Sequence, residues 1–210
     1  MPYNFITIEG NIGAGKTTLA KRLAAELNGN LILEQFADNP FLPKFYENPK
    51  QFAFPLELFF MAERFQQLKE NFSAQDLFRK FTVSDYLFRK SQLFASINLS
   101  DEEYKLYQRL FNIIHNTLPE PDLIIYLHCP VEKLVQHIHK RGRDYEQSIS
   151  KNYLEKIQQM YFSFFKSQRH LPVVIIDCSN IDFVNLEEHY QLIHEIIFDH
   201  HEPGINHVVI

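Results

Sequence analysis

The chain has 210 residues, 45% of them hydrophobic and 22% charged, which fits one compact α/β domain with a sizeable core. A formal net charge of −5 argues against a nucleic-acid polymer as partner, because proteins that bind duplexes carry a basic face. The two cysteines have neither a metal-ligand spacing nor a disulfide framework, which favours a reducing cytosol, and no apolar run is long enough to cross a bilayer.

Strand-like apolar runs alternate with helical patterns along the chain. The runs predict five strands, at Tyr3–Glu9, Asn30–Glu34, Lys80–Asp85, Asp122–His128 and Val173–Asp177. Helices are predicted at Gly15–Leu27, Phe52–Asn71, Asp101–Leu118, Val131–Lys140, Ser150–His170 and Val184–His200. This alternation predicts a single α/β domain over residues 1–200, with a parallel five-stranded sheet and helices on both faces. Residues 201–210 are expected to form a loosely packed tail.

A phosphate-binding pattern follows the first strand. The pattern G-x-x-x-x-G-K-[ST] is matched by Gly10, Asn11, Ile12, Gly13, Ala14, Gly15, Lys16 and Thr17, with Thr18 next. Between a strand and a helix, its glycines let successive backbone N–H groups face one anion. Lys16 is expected to reach the β- and γ-phosphates of ATP, and the Thr17 hydroxyl to bind Mg²⁺.

The phosphate loop alone does not define a reaction, because GTPases, motor ATPases and small-molecule kinases share it. The chain has no guanine-reading N-K-x-D motif, which disfavours a GTPase, and its short length disfavours a motor.

From Phe5 to about Phe183 the chain resembles the deoxyribonucleoside kinases, the family of the deoxycytidine, deoxyguanosine and deoxyadenosine kinases. The resemblance lies in residues 8–18, in Glu34 after the second strand, in residues 46–64 and in residues 141–156. It implies a P-loop fold of the nucleoside kinase type and ATP-dependent phosphorylation of the 5′-hydroxyl of a deoxyribonucleoside. It also implies Mg²⁺ as cofactor, a cytoplasmic location and a homodimer.

The resemblance assigns the catalytic roles to three residues. Glu34 would be the general base for the 5′-hydroxyl, a role suited to a carboxylate at a strand end facing the phosphate loop. Arg141 and Arg143 would belong to a lid near residues 141–150, where guanidinium groups stabilise the charge of the transferring phosphoryl.

The resemblance also implies a set of substrate contacts. Tyr46 and Glu146 would meet the sugar 3′-hydroxyl, since a phenol and a carboxylate can together donate to and accept from one hydroxyl. Phe94 would stack on the base, and Arg64 would lie beside the base edge. Where the family reads the base with a glutamine, this chain has Glu57.

The presence of Glu57 where the family has a glutamine leaves two interpretations open, because an ionised carboxylate only accepts hydrogen bonds. Glu57 either reads hydrogen-bond donors on the base or pairs with Arg64 or Lys90. The chain is expected to favour purine deoxynucleosides, with deoxyadenosine first, because residues 54–64 are most similar to the bacterial deoxyadenosine and deoxyguanosine kinases.

The remaining expectations concern the metal and the adenine of ATP. Asp85, at the end of the third strand, would bind Mg²⁺ together with Thr17. Asp182 and Phe183 would belong to the loop that holds the adenine. The family has an arginine that contacts phosphate after the third-strand acid; it is missing here, and Arg89 is a candidate to replace it.

Two alternatives compete with this hypothesis. The first is a thymidylate kinase-like enzyme that acts on nucleoside monophosphates, although Glu34 and Glu57 would repel an acceptor phosphate. The second is a catalytically silent nucleotide-binding module, suggested by the missing arginine.

Replacing Lys16 with alanine is expected to abolish phosphoryl transfer while the protein stays folded. A group that stabilises charge in this way contributes on the order of a hundredfold or more to turnover. The measurement is ADP formation by the Lys16→Ala variant, with circular dichroism as the control for folding. Turnover close to that of the wild type would contradict the kinase hypothesis.

Overall fold

A fully parallel sheet organises the chain. The computed structural model describes residues 2–35, 39–73 and 81–208. Within these ranges the sheet has six strands in the order β2-β3-β1-β4-β5-β6. The strands are β1 (Phe5–Gly10), β2 (Asn30–Ile32), β3 (Thr82–Ser84), β4 (Leu123–His128), β5 (Pro172–Asp177) and β6 (Gly204–Val208).

Eight helices and a short 3₁₀ turn connect these strands in the described part of the chain. The helices are α1 (Lys16–Glu26), α2 (Leu42–Glu47), α3 (Pro49–Ser73), α4 (Lys90–Asn98), α5 (Asp101–His115), α6 (Val131–Arg141), α7 (Lys151–Ser167) and α8 (Glu187–Phe198). The 3₁₀ turn covers Asp144–Glu146. None of the helices in these ranges combines the length and apolarity needed to cross a membrane.

Helices bury both faces of the sheet, which explains the near-continuous apolar runs of the central strands. Alternate residues of β4 belong to different clusters. Ile125 lies in a core cluster with residues of α1, α6 and α8. Ile124 and Tyr126 pack in another cluster, with Tyr161 and Phe165 of α7. A third cluster joins α3 and α5 to the start of β1.

The sheet topology brings the functional loops to one edge. β1 pairs with β3 on one side and with β4 on the other, all in parallel. Parallel strands end at the same edge of a sheet, and ligands bind beyond that edge where neighbouring connections diverge. The phosphate loop after β1, Glu34 after β2 and Asp85 after β3 therefore lie at one edge.

The predicted fold class is confirmed, and the predicted strand count is wrong by one. β6 lies in the segment expected to be a loose tail, and it pairs in parallel with β5 from Pro172↔Gly204 to Ile176↔Val208. It is an edge strand with half-buried residues, so its sequence lacks the apolar run of a central strand. The predictions also missed α2 and α4, which are too short for a clear helical period. Lys80, the first residue of the predicted third strand, lies outside the described residues.

Candidate active site

The loop between β1 and α1 forms a cradle for an anion. Gly13 and Gly15 have φ angles of 84° and 91°, a left-handed conformation that favours glycine. A Cβ atom on Gly15 would also lie 2.8 Å from Cζ of Phe183, so the ring packs directly on the loop. The loop leads into the N-terminus of α1, where unpaired N–H groups and the helix dipole favour a phosphate.

Among the described residues, the ammonium group of Lys16 has only backbone carbonyls as hydrogen-bond acceptors. Its Nζ donates to the backbone carbonyls of Gly10 and Asn11, both at 2.9 Å. Burial and then the positive charge of Lys90 lower the pKa of Lys16 to about 8. A phosphate would stabilise the charged form of Lys16, because an opposite charge close to a cation raises its pKa.

Asp85 connects the phosphate loop to Glu34. Its carboxylate accepts a hydrogen bond from the Thr17 hydroxyl, and Oδ1 accepts another from the backbone N–H of Glu34 at 2.7 Å. Hydroxyl and carboxylate oxygens are ligands that Mg²⁺ takes, usually from one or two carboxylates together with substrate phosphates. The described ranges contain no cluster of three or more His, Cys, Asp or Glu side chains that could hold a metal alone. Thr17 and Asp85 therefore fit a magnesium site completed by phosphates.

Glu34 lies between two cations. Arg64 donates to Oε1 through Nε at 2.8 Å and also through Nη2, while Lys90 donates to Oε2 through Nζ at 3.0 Å. Ser91 fixes the guanidinium from its other side, at 2.7 Å from Nη1. Burial by itself would raise the pKa of Glu34, but Lys90 and Arg64 together hold it well below its usual range. Glu34 is therefore ionised at neutral pH.

Glu57 is a buried carboxyl group with one satisfied oxygen. Asn98 Nδ2 donates to Oε1 at 2.7 Å, and the Tyr153 hydroxyl donates to Oδ1 of Asn98 at 3.2 Å. Oε2 of Glu57 has no hydrogen-bond partner among the described residues. Burial raises the pKa of Glu57 to about 7, even though the Asn98 hydrogen bond lowers it. The side chain can thus change its protonation state near neutral pH.

Aromatic rings form the walls of the cavity that contains Glu34 and Glu57. The empty space measures about 850 Å³. Phe60 and Phe94 lie beneath the two cations, with Arg64 4.9 Å from the Phe60 centroid and Lys90 5.5 Å from the Phe94 centroid. A flat apolar group would therefore enter between aromatic faces and buried polar groups, the usual composition of a small-molecule site.

The predicted lid residues close one side of this cavity. Arg141 is the last residue of α6 and donates to the carboxylate of Glu146. Arg143 donates to the same carboxylate at 3.0 Å. The ring of Tyr145 stacks on Tyr46 at a centroid distance of 6.0 Å. The lid thus contacts α2 across the cavity.

A second cavity, of about 1740 Å³, lies on the other side of the phosphate loop and extends to the residues after β5. Lys133 of α6 holds these residues through the carbonyls of Cys178 and Ile181, both at 2.7 Å. Asp182 accepts hydrogen bonds from the N–H groups of Val184 and Asn185 at 3.2 and 3.1 Å. The loop is therefore held in one conformation next to the phosphate cradle.

The structure brings most of the predicted site residues around the first cavity. Those that line it are Ile12, Gly13, Lys16, Thr17, Glu34, Tyr46, Glu57, Arg64, Asp85, Phe94, Arg141, Arg143 and Glu146. The second cavity adds Ala14, Gly15, Thr18, Asp182 and Phe183. Gly10 and Asn11 lie beside them as the carbonyl partners of Lys16.

Two open questions about charged partners are answered by the described residues. Of the two interpretations of Glu57, the ion pair is not formed there, because Arg64 and Lys90 both bind Glu34, while Asn98 donates to Glu57. Arg89 does not replace the missing arginine: its guanidinium pairs with Glu120 at 2.8 Å, on an exposed part of the surface.

Sequence reasoning did not assign Asn98, Tyr153 or Lys133 to the site, and it named Lys90 only as a possible partner of Glu57. Lys90, Asn98 and Tyr153 line the first cavity, and Lys133 holds the loop after β5. A lysine at the start of a helix, after a strand that ends in an acid, was a usable signal for Lys90. Asn98 reaches Glu57 from α4, and Tyr153 reaches Asn98 from α7, so nothing local in the sequence marks them.

Comparison with known proteins agrees with this geometry. The model of the deoxynucleoside kinase family matches residues 6–201. Deoxyguanosine kinase of Bacillus subtilis (strain 168) is 37% identical over 187 residues, which cover 86% of this chain and 89% of that protein. Deoxyadenosine kinase of Dictyostelium discoideum is 37% identical over 191 residues, which cover 90% of this chain and 77% of that protein.

A solved structure shares the fold. The structure of deoxyadenosine kinase from M. mycoides with bound dATP aligns with a TM-score of 0.78 and 23% identity, over 93% of this chain and 100% of that chain. The family match spans most of the chain and includes the phosphate loop, Glu34 and the lid arginines. The chain therefore belongs to the deoxynucleoside kinase family and is a phosphotransferase.

Proposed function

We propose that this protein transfers the γ-phosphoryl group of ATP to the 5′-hydroxyl of a deoxyribonucleoside, and that it prefers purine deoxynucleosides, with deoxyadenosine first. The observation that carries the proposal is the continuity of the site. Glu34 and Asp85 line both the cavity beside the phosphate loop and the aromatic cavity. The names of the two relatives, a deoxyguanosine and a deoxyadenosine kinase, support a purine substrate.

The residues at the junction have complementary tasks. The loop N–H groups and Lys16 bind the β- and γ-phosphates, and Glu34 accepts the proton of the 5′-hydroxyl as its oxygen attacks. Arg141 and Arg143 approach the transferring phosphoryl when the lid closes. Thr17 and Asp85 would hold Mg²⁺, which supplies charge neutralisation on the phosphate oxygens.

The deoxyribose contacts lie beside the lid. Tyr46 and Glu146 line the same cavity as Glu34, so both can reach one sugar hydroxyl. The adenine of ATP would lie near Asp182 and Phe183, where Phe183 packs on the phosphate loop.

An acceptor with a phosphate of its own fits this cavity less well. A nucleoside monophosphate would bring its charge close to the carboxylate of Glu34 and to Glu57, while Arg64 is already bound to Glu34. A deoxynucleoside presents a neutral hydroxyl at the same place. This argument favours the nucleoside over the monophosphate, and so over the thymidylate kinase-like alternative.

We further propose a cytoplasmic homodimer. The two free cysteines are buried and unpaired, which suits a reducing compartment.

Leu106 and Ile113 lie two turns apart on α5, with Ile113 73% exposed, so they offer an apolar stripe to a second copy. Analytical ultracentrifugation that finds only monomer at micromolar concentration would contradict the dimer.

The Glu34→Gln variant tests the reaction itself. We expect kcat to fall by about a hundredfold or more with little change in the nucleoside KM, because the amide keeps the shape but accepts no proton. The measurement is ADP release with the four deoxynucleosides and with their monophosphates, and the exposed Glu102→Gln exchange is the matched control. Faster turnover of a monophosphate by the wild type would favour the monophosphate kinase alternative. No turnover with any acceptor would favour a silent binding module.

Replacing both Arg141 and Arg143 with alanine is expected to lower kcat by on the order of a thousandfold and ATP affinity much less, since lid charges act in the closed state. A matched control is the double exchange of the exposed Lys166 and Arg169 for alanine. Thermal melting measures how much stability is lost when the buried Glu146 loses its two arginine partners. Equal losses of ATP binding and of turnover would contradict a lid role.

The protonation of Glu57 is expected to select the base. Neutral Glu57 can donate from Oε2 to N1 of adenine, whereas the ionised form can only accept, for example from the N1–H and N2–H₂ groups of guanine. Because the pKa of Glu57 is raised to about 7, with Arg64, Lys90 and Glu34 as its charged neighbours, the neutral form declines as the pH rises through that value.

We therefore expect the ratio of kcat/KM for deoxyadenosine to that for deoxyguanosine to fall by about tenfold between pH 6 and pH 8.5, since a base-edge contact contributes roughly 1–3 kcal/mol. In Glu57→Gln the ratio should favour deoxyadenosine at every pH. Thymidine as the best substrate, or the same pH dependence of the ratio in Glu57→Gln as in the wild type, would show that Glu57 does not read the base.

A further inference from the structure

Lys90 is a buried lysine with no role in the catalytic scheme above. The residue is 5% exposed and lines the aromatic cavity. Lysine is almost never this buried unless it is paired. It is also the first residue of α4, where a cation opposes the helix dipole. Helix stability therefore does not explain its position.

Two further observations point from Lys90 to a phosphate. Its Nζ lies 3.0 Å from Oε2 of Glu34, the carboxylate proposed to accept the substrate proton. Lys90 also lines the same cavity as Lys16 of the phosphate loop, so two ammonium groups face one space. Two lysines that repel each other beside an anion cradle are stabilised when an anion comes between them.

The resting arrangement also poses a problem for catalysis. Arg64 and Lys90 donate to the two oxygens of the Glu34 carboxylate, and a carboxylate whose oxygens both accept from cations is a weak proton acceptor. Arg64 is fixed by Ser91 and by two donors to the same oxygen of Glu34. Lys90 holds the other oxygen by a single hydrogen bond on a flexible stem, so it is the cation that can leave.

We propose that Lys90 transfers its hydrogen bond from Glu34 to the phosphoryl group in transit, and so both stabilises that group and frees Oε2 of Glu34 as the proton acceptor. This inference rests on the proposed kinase function. Lys90 takes the place, from the first turn of α4, of the phosphate-binding arginine that is absent after Asp85, where the chain has Tyr86.

The step balances as follows. The 5′-oxygen forms its bond to the γ-phosphorus while the bond from that phosphorus to the β-γ bridging oxygen breaks, and ADP leaves with that electron pair. The proton of the 5′-hydroxyl passes to Oε2 of Glu34. Lys90 stays protonated throughout and returns to Glu34 once the monophosphate has left and Glu34 has released its proton.

Three variants test the role of Lys90. Lys90→Met keeps the length of the stem without its charge, Lys90→Arg keeps the charge, and Arg89→Met is the matched control at the neighbouring exposed residue. The measurements are kcat and KM for deoxyadenosine, and the calorimetric affinities for deoxyadenosine and for dAMP.

In Lys90→Met we expect kcat to fall by about a hundredfold or more while the KM for deoxyadenosine changes by less than about threefold. The affinity for dAMP should fall by on the order of tenfold relative to that for deoxyadenosine, because one charged hydrogen bond to phosphate is lost. Lys90→Arg should recover most of both properties, and Arg89→Met should match the wild type.

If the ratio of the dAMP affinity to the deoxyadenosine affinity is the same in Lys90→Met as in the wild type, the proposal is overturned. This holds even when the wild type is a fully active kinase. Equal losses in Lys90→Met and Lys90→Arg would also overturn it, because they would indicate a packing role. Failure of the proposed function is recognised separately, because the wild type would then turn over no deoxynucleoside.

Discussion

The carboxylate of Asp85 links the elements on which the whole site depends. It accepts hydrogen bonds from the side chain of Thr17 at the start of α1 and from the backbone of Glu34 after β2, while it stands itself at the end of β3. It is 4% exposed, so water competes little for these bonds. The phosphate loop and Glu34, the proposed proton acceptor, are thus linked through one side chain, which suits phosphoryl transfer because its catalysis is mostly positioning.

Two glutamate side chains are buried around this link, and their surroundings differ. A second carboxylate, Glu9, lies fully buried under the loop, where it accepts from the backbone N–H of Leu87 at 2.6 Å and from the Tyr161 hydroxyl at 2.7 Å. Burial raises the pKa of Glu9, whereas cations hold that of Glu34 low. The two glutamates therefore differ: Glu9 ties α7 and the segment after β3 to β1, whereas Glu34 is the proposed proton acceptor.

The two cavities meet at the wall formed by Lys16, Thr17, Glu34 and Asp85. A donor on one side and an acceptor on the other can then approach in line across the phosphate loop. Arg141 and Arg143 line both cavities and bind Glu146. Arg141 and Arg143 therefore lie where the two cavities meet, as their proposed role at the phosphoryl group requires.

The sequence alone determined the phosphate loop and the alternation of strands and helices, because these follow from local patterns and a short motif. The other candidate site residues were inferred from the resemblance to a family. The sequence did not reveal β6, an edge strand without an apolar run, nor the partners of the charged groups. Lys90 and Glu34 are 56 residues apart, and Asn98 and Glu57 are 41 apart. Such pairs are decided by how separate helices pack against the sheet, since the strength of an ion pair or hydrogen bond depends on distance and burial in space.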